Sequence, residues 1–182
     1  EQVKEKDIDL IVMGTKGATG ADQILFGSNT VHAIKRVNCS LLAIPSNYKF
    51  KPVKNILFPT DYDIDYTDKQ FKLIKLIAKN YNSVIHILHI FFGTYLKAEQ
   101  EHSKKELIHQ FKHFNHKFHN VDKKSVPQAI YNFQAENDVD FLAMINNRHS
   151  FFENLLFRPV INEIGFHVKT PFLVIPSGKY KS

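Results

Sequence analysis

An internal repeat constrains the fold of this chain more than any other feature of its sequence. Residues 7–46 align with residues 138–177 at a constant offset of 131 positions without a gap, and ten of the forty aligned pairs are identical. Both copies open on similar apolar segments, and both close on Ile-Pro-Ser, at 44–46 and 175–177. An ungapped match with coinciding strand and turn signals indicates duplication of one supersecondary unit.

The first copy has the pattern of a strand, a long loop, a helix and a second strand. Its opening segment, 8–13, is almost continuously apolar, which predicts a strand buried on both faces of a parallel sheet. Residues 28–37 predict a helix with apolar residues at helical spacing. Residues 41–44 predict a short strand that ends at Pro45. Each copy is therefore expected to be a βαβ unit.

The segment between the two copies continues the alternation of strands and helices. Strands are predicted at 56–58 and 84–92, separated by a helix that a capping box of Thr67 and Gln70 opens. A helix is predicted from about 97 to 119. A short strand near 125–126 and a helix with Pro127 in its first turn complete the segment. This order predicts an α/β fold with a doubly wound, five-stranded parallel sheet.

These elements divide the chain unevenly. Residues 48–182 are expected to form one complete domain of five strands. Residues 1–46 correspond to the last third of a preceding domain, without its first three strands. Forty-six residues with one βαβ unit cannot bury a core of their own, so we expect them to dock on the second domain or on another chain. The sequence also begins without Met, and we expect it to be an N-terminally truncated piece of a longer protein.

A glycine-rich loop follows the first strand of the first copy. Gly14, Gly17 and Gly27 are spaced G-x2-G-x9-G, and Ser28 stands at the predicted helix start. Glycines let backbone N–H groups approach an anion, and a helix start adds free donors and a positive dipole end. The alternative is that the glycines serve only tight turns. Their position between a buried strand and a Ser-capped helix favours a phosphate site.

With this loop the sequence resembles the universal stress protein family, whose fourth strand is followed by G-x2-G-x9-G-(S/T). Residues 55–61, which end in Pro-Thr-Asp, are similar to that family's first strand. The resemblance implies a stress-response protein with tandem Rossmann-like domains, and family members with an intact loop bind ATP. It assigns the phosphates to Gly14, Gly17, Gly27 and Ser28, with Met13, Lys16 and Asn29 as neighbours.

The second copy departs from this pattern at every loop position. Ile145, Arg148, Arg158 and Pro159 replace the three glycines and the serine. Proline has no N–H to donate, and side chains replace glycines where the backbone must approach a phosphate. We therefore expect the second domain to be a structural or dimerisation domain without a ligand, in which Asp61 is structural or vestigial.

The first copy has the complementary defect. It lacks the strand that brings the family's nucleoside-side Asp, and in a doubly wound sheet the ligand lies where neighbouring strand ends diverge. We expect the intact parent protein to bind ATP. The present chain should bind it weakly or not at all unless another chain completes the site.

Composition limits the cellular environments and the binding partners that we expect for this protein. The net charge of +6 permits nucleic acid, but the lysines are scattered and no nucleic-acid motif occurs, so a solvated basic surface is favoured. No apolar run approaches the ~20 residues that span a bilayer. The polar start is not a signal peptide. The single cysteine, Cys39, fits a reducing cytoplasm and a packing role.

Several polar residues suggest chemistry but favour structural roles. His109, His113 and His116 would share one face of the predicted helix, at a spacing that can chelate zinc or nickel. That face is expected to be hydrated and without a metal. His86 and His89 fall on opposite faces of a strand, where partial burial is expected. Aspartates precede the first strand of both copies, which indicates a turn role; they lie at 7, 9, 138 and 140.

Three functions are consistent with the sequence. The favoured one is a regulatory module in which bound ATP biases conformation or dimerisation. The second is a slow ATP hydrolase, but only Lys16 lies near the expected γ-phosphate and no GK(S/T) motif occurs, so we expect no enzyme and assign no catalytic residue. The third is a ligand-free scaffold whose terminal strands, 41–44 and 172–175, pair domains within one chain or subunits of a homodimer.

Overall fold

The computed structural model describes residues 7–15, 28–91, 95–122, 126–147 and 170–178. Within these ranges the chain forms seven strands and four helices. In chain order they are β1 (Leu10–Gly14), α1 (Ser28–Arg36), β2 (Ser40–Ile44), β3 (Asn55–Thr60), α2 (Asp68–Tyr81), β4 (Val84–Phe91), α3 (Ala98–Phe111), β5 (His116–Asp122), α4 (Val126–Glu136), β6 (Phe141–Asn146) and β7 (Phe172–Pro176).

All seven strands belong to one sheet, in the order β1-β2-β7-β6-β3-β4-β5. The strands β3 to β7 are parallel, and the chain adds strands on both sides of β3, which is the doubly wound arrangement. β1 and β2 are parallel to each other, but β2 pairs antiparallel with β7. The predicted α/β class is confirmed. The predicted sheet of five parallel strands is corrected to a mixed sheet of seven, because β2 pairs with the otherwise open edge of β7.

The two copies of the repeat have the same strand register. Ile11 lies opposite Leu41 where β1 pairs with β2. The equivalent residues Leu142 and Phe172, each 131 positions later, lie opposite each other where β6 pairs with β7. The copies therefore agree in backbone pairing as well as in sequence.

Helices cover both faces of the sheet. On one face α1 and α4 pack on the strands through buried residues such as Ile34 and Ile130. On the other face α2 and α3 do so through Phe71 and Phe111. Strands β4 and β6 are buried along almost their whole length, which accounts for their nearly continuous apolar sequences.

The start of α2 agrees with the predicted capping box. The Thr67 N–H donates to Gln70 Oε1 at 2.8 Å, and the helix begins at the next residue. At the other end Asn82 has a φ of 51°, in the left-handed region that Asn tolerates at a helix C-terminus. The Ser83 N–H donates to Ala78 O at 3.0 Å and closes this end.

The helix predicted over 97–119 is wrong in its second half. α3 ends at Phe111, and residues 116–122 form β5, which pairs with β4 along its length. Phe114 and Phe118 still pack on the same core as Phe111, so a helix followed by a strand satisfies the apolar spacing that suggested one helix. The strand predicted near 125–126 is also wrong, because Val126 begins α4; Pro127 lies in its first turn as predicted.

β1 is not buried on both faces as its sequence predicted. Val12 is 60% exposed, and its neighbours are only half-buried. Among the described strands β1 lies at the edge of the sheet and pairs with β2 alone. The sequence of β1 is therefore more apolar than its burial by the described residues requires.

Candidate functional site

The carboxyl end of β1 meets the amino end of α1. Thr30, in the first turn of α1, donates from Oγ1 to the backbone oxygen of Gly14 at 3.1 Å. Thr30 is only 2% exposed, so the donor side of this bond is buried, whereas its acceptor residue Gly14 is exposed. The next N–H along the strand, that of Thr15, donates to Ile44 O at 2.9 Å. These two bonds fix the end of β1 against both β2 and α1.

Gly14 leaves open space at this strand end. The residue is exposed, and a Cβ placed on it would have no heavy atom of the described residues within 4 Å. Packing against the described residues therefore does not require a glycine here. The open space is compatible with the close approach of a ligand to the backbone.

The amino end of α1 is electrostatically suited to an anion. The first turn of this nine-residue helix contains no acidic residue, while Lys35 and Arg36 lie in its last turn. The first N–H groups of a helix have no partner within it, and they carry the positive end of the helix dipole. Donors and partial positive charge thus lie beside Gly14.

The structure brings together part of the predicted phosphate site. Gly14 and Met13 end β1, Ser28 begins α1, and the exposed Asn29 follows it. Met13 is half-buried and packs on the core between the sheet and α1, which indicates a packing role. Gly17, Gly27 and Lys16 lie outside the described residues.

The equivalent strand end in the second copy carries a side chain instead of open space. Ile145 is 6% exposed and packs in the core under α2 and α3. With Asp61, Ile64 and Asn147 it lines a cleft between the ends of β3 and β6, where the strand order reverses. The cleft measures about 240 Å³ including the open space at its mouth. Arg148, Arg158 and Pro159 lie outside the described residues.

Asp61 supports the turn that follows β3. Its Oδ1 accepts a hydrogen bond from the Asp63 N–H at 3.0 Å. Its backbone oxygen accepts one from Gln100 Nε2 at 2.9 Å, which ties the turn to α3. These contacts agree with the structural role expected for this residue.

Asp140 joins the starts of β3 and β6. Its Oδ2 accepts hydrogen bonds from the N–H groups of Lys54 at 2.8 Å and Asn55 at 2.9 Å, and its Oδ1 lies 2.5 Å from Lys51 Nζ. Burial alone would raise the pKa of this carboxyl, but the hydrogen bonds from Lys51 and the two backbone amides hold the pKa below its ordinary value. The contacts support the predicted structural role. Asp140 and Gly14 lie at the same end of the sheet, because β1 and β2 run antiparallel to β7 and β6.

The histidine face predicted on one helix is wrong. His109 belongs to α3, His113 to the turn after it, and His116 and His119 to β5. In the part of the chain that the structure describes, no three His, Cys, Asp or Glu side chains are grouped to hold a metal ion. No helix in the same ranges has the length and apolar character needed to cross a membrane.

The two histidines of β4 face opposite sides of the sheet, as predicted. His86 Nδ1 lies 3.1 Å from His119 Nε2, on the side that α4 covers. His89 stacks on Tyr62, with 4.4 Å between the ring centroids. Both β4 histidines are buried, at 7% and 6% exposure.

Cys39 has the packing role that its neighbours in the sequence suggested. It is a free cysteine with 8% exposure. Burial raises the pKa of its thiol and so disfavours the reactive thiolate.

Two residues that sequence reasoning missed shape the strand ends. Thr30 anchors Gly14. The second copy has Ile161 at the equivalent position, and this difference in the sequence could have indicated a specific role for Thr30. Tyr62 has a φ of 59°, and its hydroxyl is buried without a hydrogen-bond partner among the described residues. Burial, and next the Glu101 carboxylate, raise the pKa of its phenol. In the sequence, only the preceding Asp61, a residue type common in turns, indicated a tight turn at Tyr62.

Comparison with known sequences gives matches for the first part of the chain. Residues 1–45 match the model of the universal stress protein family. A universal stress protein of Methanocaldococcus jannaschii is 46% identical over 44 residues, which is 24% of this chain and 26% of that protein. The match thus spans about a quarter of either length.

Comparison with solved structures concerns nearly the whole chain. A universal stress protein from Archaeoglobus fulgidus is similar with a TM-score of 0.64 at 16% identity, over 98% of this chain and 65% of that one. A universal stress protein in complex with cAMP is similar with a TM-score of 0.50 at 18% identity, over 70% of this chain and 99% of that one. At these identities the likeness concerns the fold. Residues 1–45 are therefore similar in sequence to the universal stress protein family, and the described fold is similar to that of solved universal stress proteins.

Proposed function

We propose that this protein is a cytoplasmic stress-response protein that binds an adenine nucleotide, ATP in the first instance, as a non-enzymatic regulatory module. The observation that carries the proposal is the junction of Gly14 with the first turn of α1, which Thr30 fixes at 3.1 Å. The open space that the described residues leave at Gly14, the N–H donors of the helix start and the absence of acidic residues from the first turn of α1 all favour a phosphate there. The cAMP complex of a protein with this fold supports adenine nucleotides as the ligand class.

In this proposal the chain acts by binding and not by covalent chemistry. The backbone at Gly14, Gly17 and Gly27 and the start of α1 at Ser28 would hold the phosphates, with Asn29 beside them. Residues 48–182 would be a structural domain without a ligand. It receives the first βαβ unit through the pairing of β2 with β7. The side chain of Ile145 is the described reason why the second copy would not bind.

Isothermal titration of the chain with ATP tests the proposal, with two reciprocal variants. Gly17→Arg gives the first copy the residue that the second copy has at the equivalent position, and Arg148→Gly does the reverse. We expect weak binding that Gly17→Arg abolishes and Arg148→Gly leaves unchanged. Equal affinities for the wild type and Gly17→Arg would remove the glycine loop from the function.

The pairing of β2 with β7 favours one further candidate, a ligand-free scaffold. Leu41 to Ala43 pair antiparallel with Phe172 to Val174, so the terminal strands that were predicted to associate do so within one chain. Absence of ATP binding by both the wild type and Arg148→Gly would favour this function. Light scattering would then show whether the scaffold is also a homodimer.

A further inference from the structure

Two histidines connect the outermost strand β5 to the interior of the protein. His86 of β4 and His119 of β5 stack with 22° between their planes, and Nδ1 of the first lies 3.1 Å from Nε2 of the second. Phe133 of α4 packs edge-on against both rings. On its other side, His86 Nε2 lies 3.1 Å from Oδ1 of Asn55 in β3.

The neighbours of the pair fix its tautomers. Asn55 Nδ2 donates to the backbone oxygen of Asp138 at 2.9 Å, so its Oδ1 is the atom that faces His86. An amide oxygen only accepts, and therefore His86 Nε2 carries the proton. His86 Nδ1 is then left as an acceptor for the Nε2–H of His119. The chain of donors thus runs from His119 through His86 to Asn55.

This series of hydrogen bonds is incompatible with a second proton on His86. The added proton would occupy Nδ1, the atom that accepts from His119, and two N–H groups would face each other across 3.1 Å. A proton added to His119 goes to its Nδ1 and leaves the bond intact. The pair can therefore hold one positive charge with its hydrogen bond, but not two.

We propose that the His86–His119 pair is an acid-sensitive contact that holds β5 on β4 and α4, and that protonation of His86 releases this edge strand. Among the described strands β5 pairs with β4 alone, so it has no second strand to retain it. Apart from Val121 and Phe118, the side chains of β5 contribute little to either core. The histidine contact is thus a large part of what anchors the strand to α4.

Burial and the charges around the pair also disfavour the protonated form of both rings. Burial lowers the pKa of His86 most, followed by the charges of His119 and Lys117. Burial and then Lys117 lower the pKa of His119. The facing groups on β3 and α4, Asn55 and Phe133, are uncharged.

The carboxylate of Asp140, which accepts from the backbone of Asn55, is engaged elsewhere. Asp140, at the start of β6, binds Lys51 and the N–H groups of Lys54 and Asn55. It therefore offers no compensating charge to a protonated His86.

The direction of the pH effect follows from linkage. The folded-state pKa of each ring lies below the unfolded value of about 6.5, so between these values the unfolded chain binds more protons than the folded one. The contribution of the pair is full above about 6.5. It falls as the pH drops from there through the folded-state value.

Hydrogen exchange measured by mass spectrometry tests the proposal on the full chain. Exchange is followed about one unit above and about one unit below the ordinary histidine pKa and corrected for the intrinsic rate. Acid should raise exchange several-fold in the β5 peptide, 116–122, but not in the β7 peptide, 172–176. His86→Gln, which cannot titrate, should abolish the difference. His113→Gln, at an exposed position outside the contact, should keep it.

Equal exchange in β5 at the two pH values, or an undiminished acid response in His86→Gln, would overturn the proposal. Should His86→Gln fail to fold, nitrogen NMR of the wild-type rings decides. A protonated Nε2 and an unprotonated Nδ1 on His86 at the higher pH support the proposal. The opposite tautomer refutes it.

Discussion

Leu42 and Leu173 lie directly opposite each other where β2 pairs with β7. They are also equivalent residues of the internal repeat, 131 positions apart. Their neighbours pair reciprocally: Leu41 lies opposite Val174, which is the repeat equivalent of Ala43. The junction thus has local twofold pseudosymmetry centred on the leucine pair, as in an interface between two identical subunits.

The two leucines should differ in their contribution to stability. Leu173 is 1% exposed, whereas Leu42 is half-buried. We expect Leu173→Ala to lower the free energy of unfolding by about 2–5 kcal/mol. Leu42→Ala should cost less, because part of its surface already contacts water. Urea denaturation followed by circular dichroism measures both, and equal losses would contradict this asymmetry.

Removal of the Thr30 hydroxyl should loosen the start of α1. Thr30→Val keeps the shape of the side chain but deletes the donor to Gly14 O, so we expect a loss of about 0.5–1.5 kcal/mol. Thr30→Ser restores the donor and serves as the matched control in the same denaturation experiment. A serine variant less stable than the valine variant would show that packing, not the hydrogen bond, accounts for the buried threonine.

Two buried tyrosines offer a matched comparison. The Tyr62 hydroxyl has no partner among the described residues, whereas the Tyr66 hydroxyl forms a hydrogen bond with Thr60 Oγ1. Tyr62→Phe should leave stability unchanged or raise it, since it removes an unsatisfied polar group. Tyr66→Phe should cost about 1 kcal/mol. Thermal or urea unfolding measures the stability change of both variants. A larger loss of stability for Tyr62→Phe than for Tyr66→Phe would mean that the Tyr62 hydroxyl has a hydrogen-bond partner.

Much of the fold was predictable because local and tertiary signals agreed. The continuously apolar segments around Phe58 and Met144 are central strands, and the Thr67–Gln70 signal coincides with a helix start. The error over 97–119 arose because the spacing of Phe111, Phe114 and Phe118 fits a helix equally well. What decided the outcome was the pairing of β5 with β4, a contact that local periodicity does not encode.

The candidate site was predictable only in part. The glycine spacing indicated an anion site, and the structure places Gly14 beside the start of α1. The exposed surface of β1 and the antiparallel pairing of β2 depend on which strand edges meet. Tyr62, with its left-handed backbone, stacks on His89, and local sequence does not encode this contact between separate parts of the chain.

Asp140 should give the chain an acid-dependent part of its stability. Its folded-state pKa lies below the ordinary value, so its contribution is present above about pH 3.9 and is lost as the pH falls through the folded-state pKa. At neutral pH, Asp140→Asn should cost about 1–3 kcal/mol, because the neutral amide accepts more weakly from Lys54 and Asn55.

The difference between the wild type and Asp140→Asn should shrink in acid. Urea unfolding at several pH values measures it, with Asp138→Asn as a control at an exposed position. A difference independent of pH down to strong acid would indicate that the effect is steric.

The division of roles between the two copies is tested most directly by mapping where ATP binds. Photo-cross-linking with an azido-ATP, followed by peptide mapping, should label peptides from residues 7–36, around the end of β1 and the start of α1. Peptides 58–64 and 141–147, which line the cleft at Ile145, should remain unlabelled. Label confined to the cleft, with none in residues 7–36, would contradict the assignment of the nucleotide to the first copy.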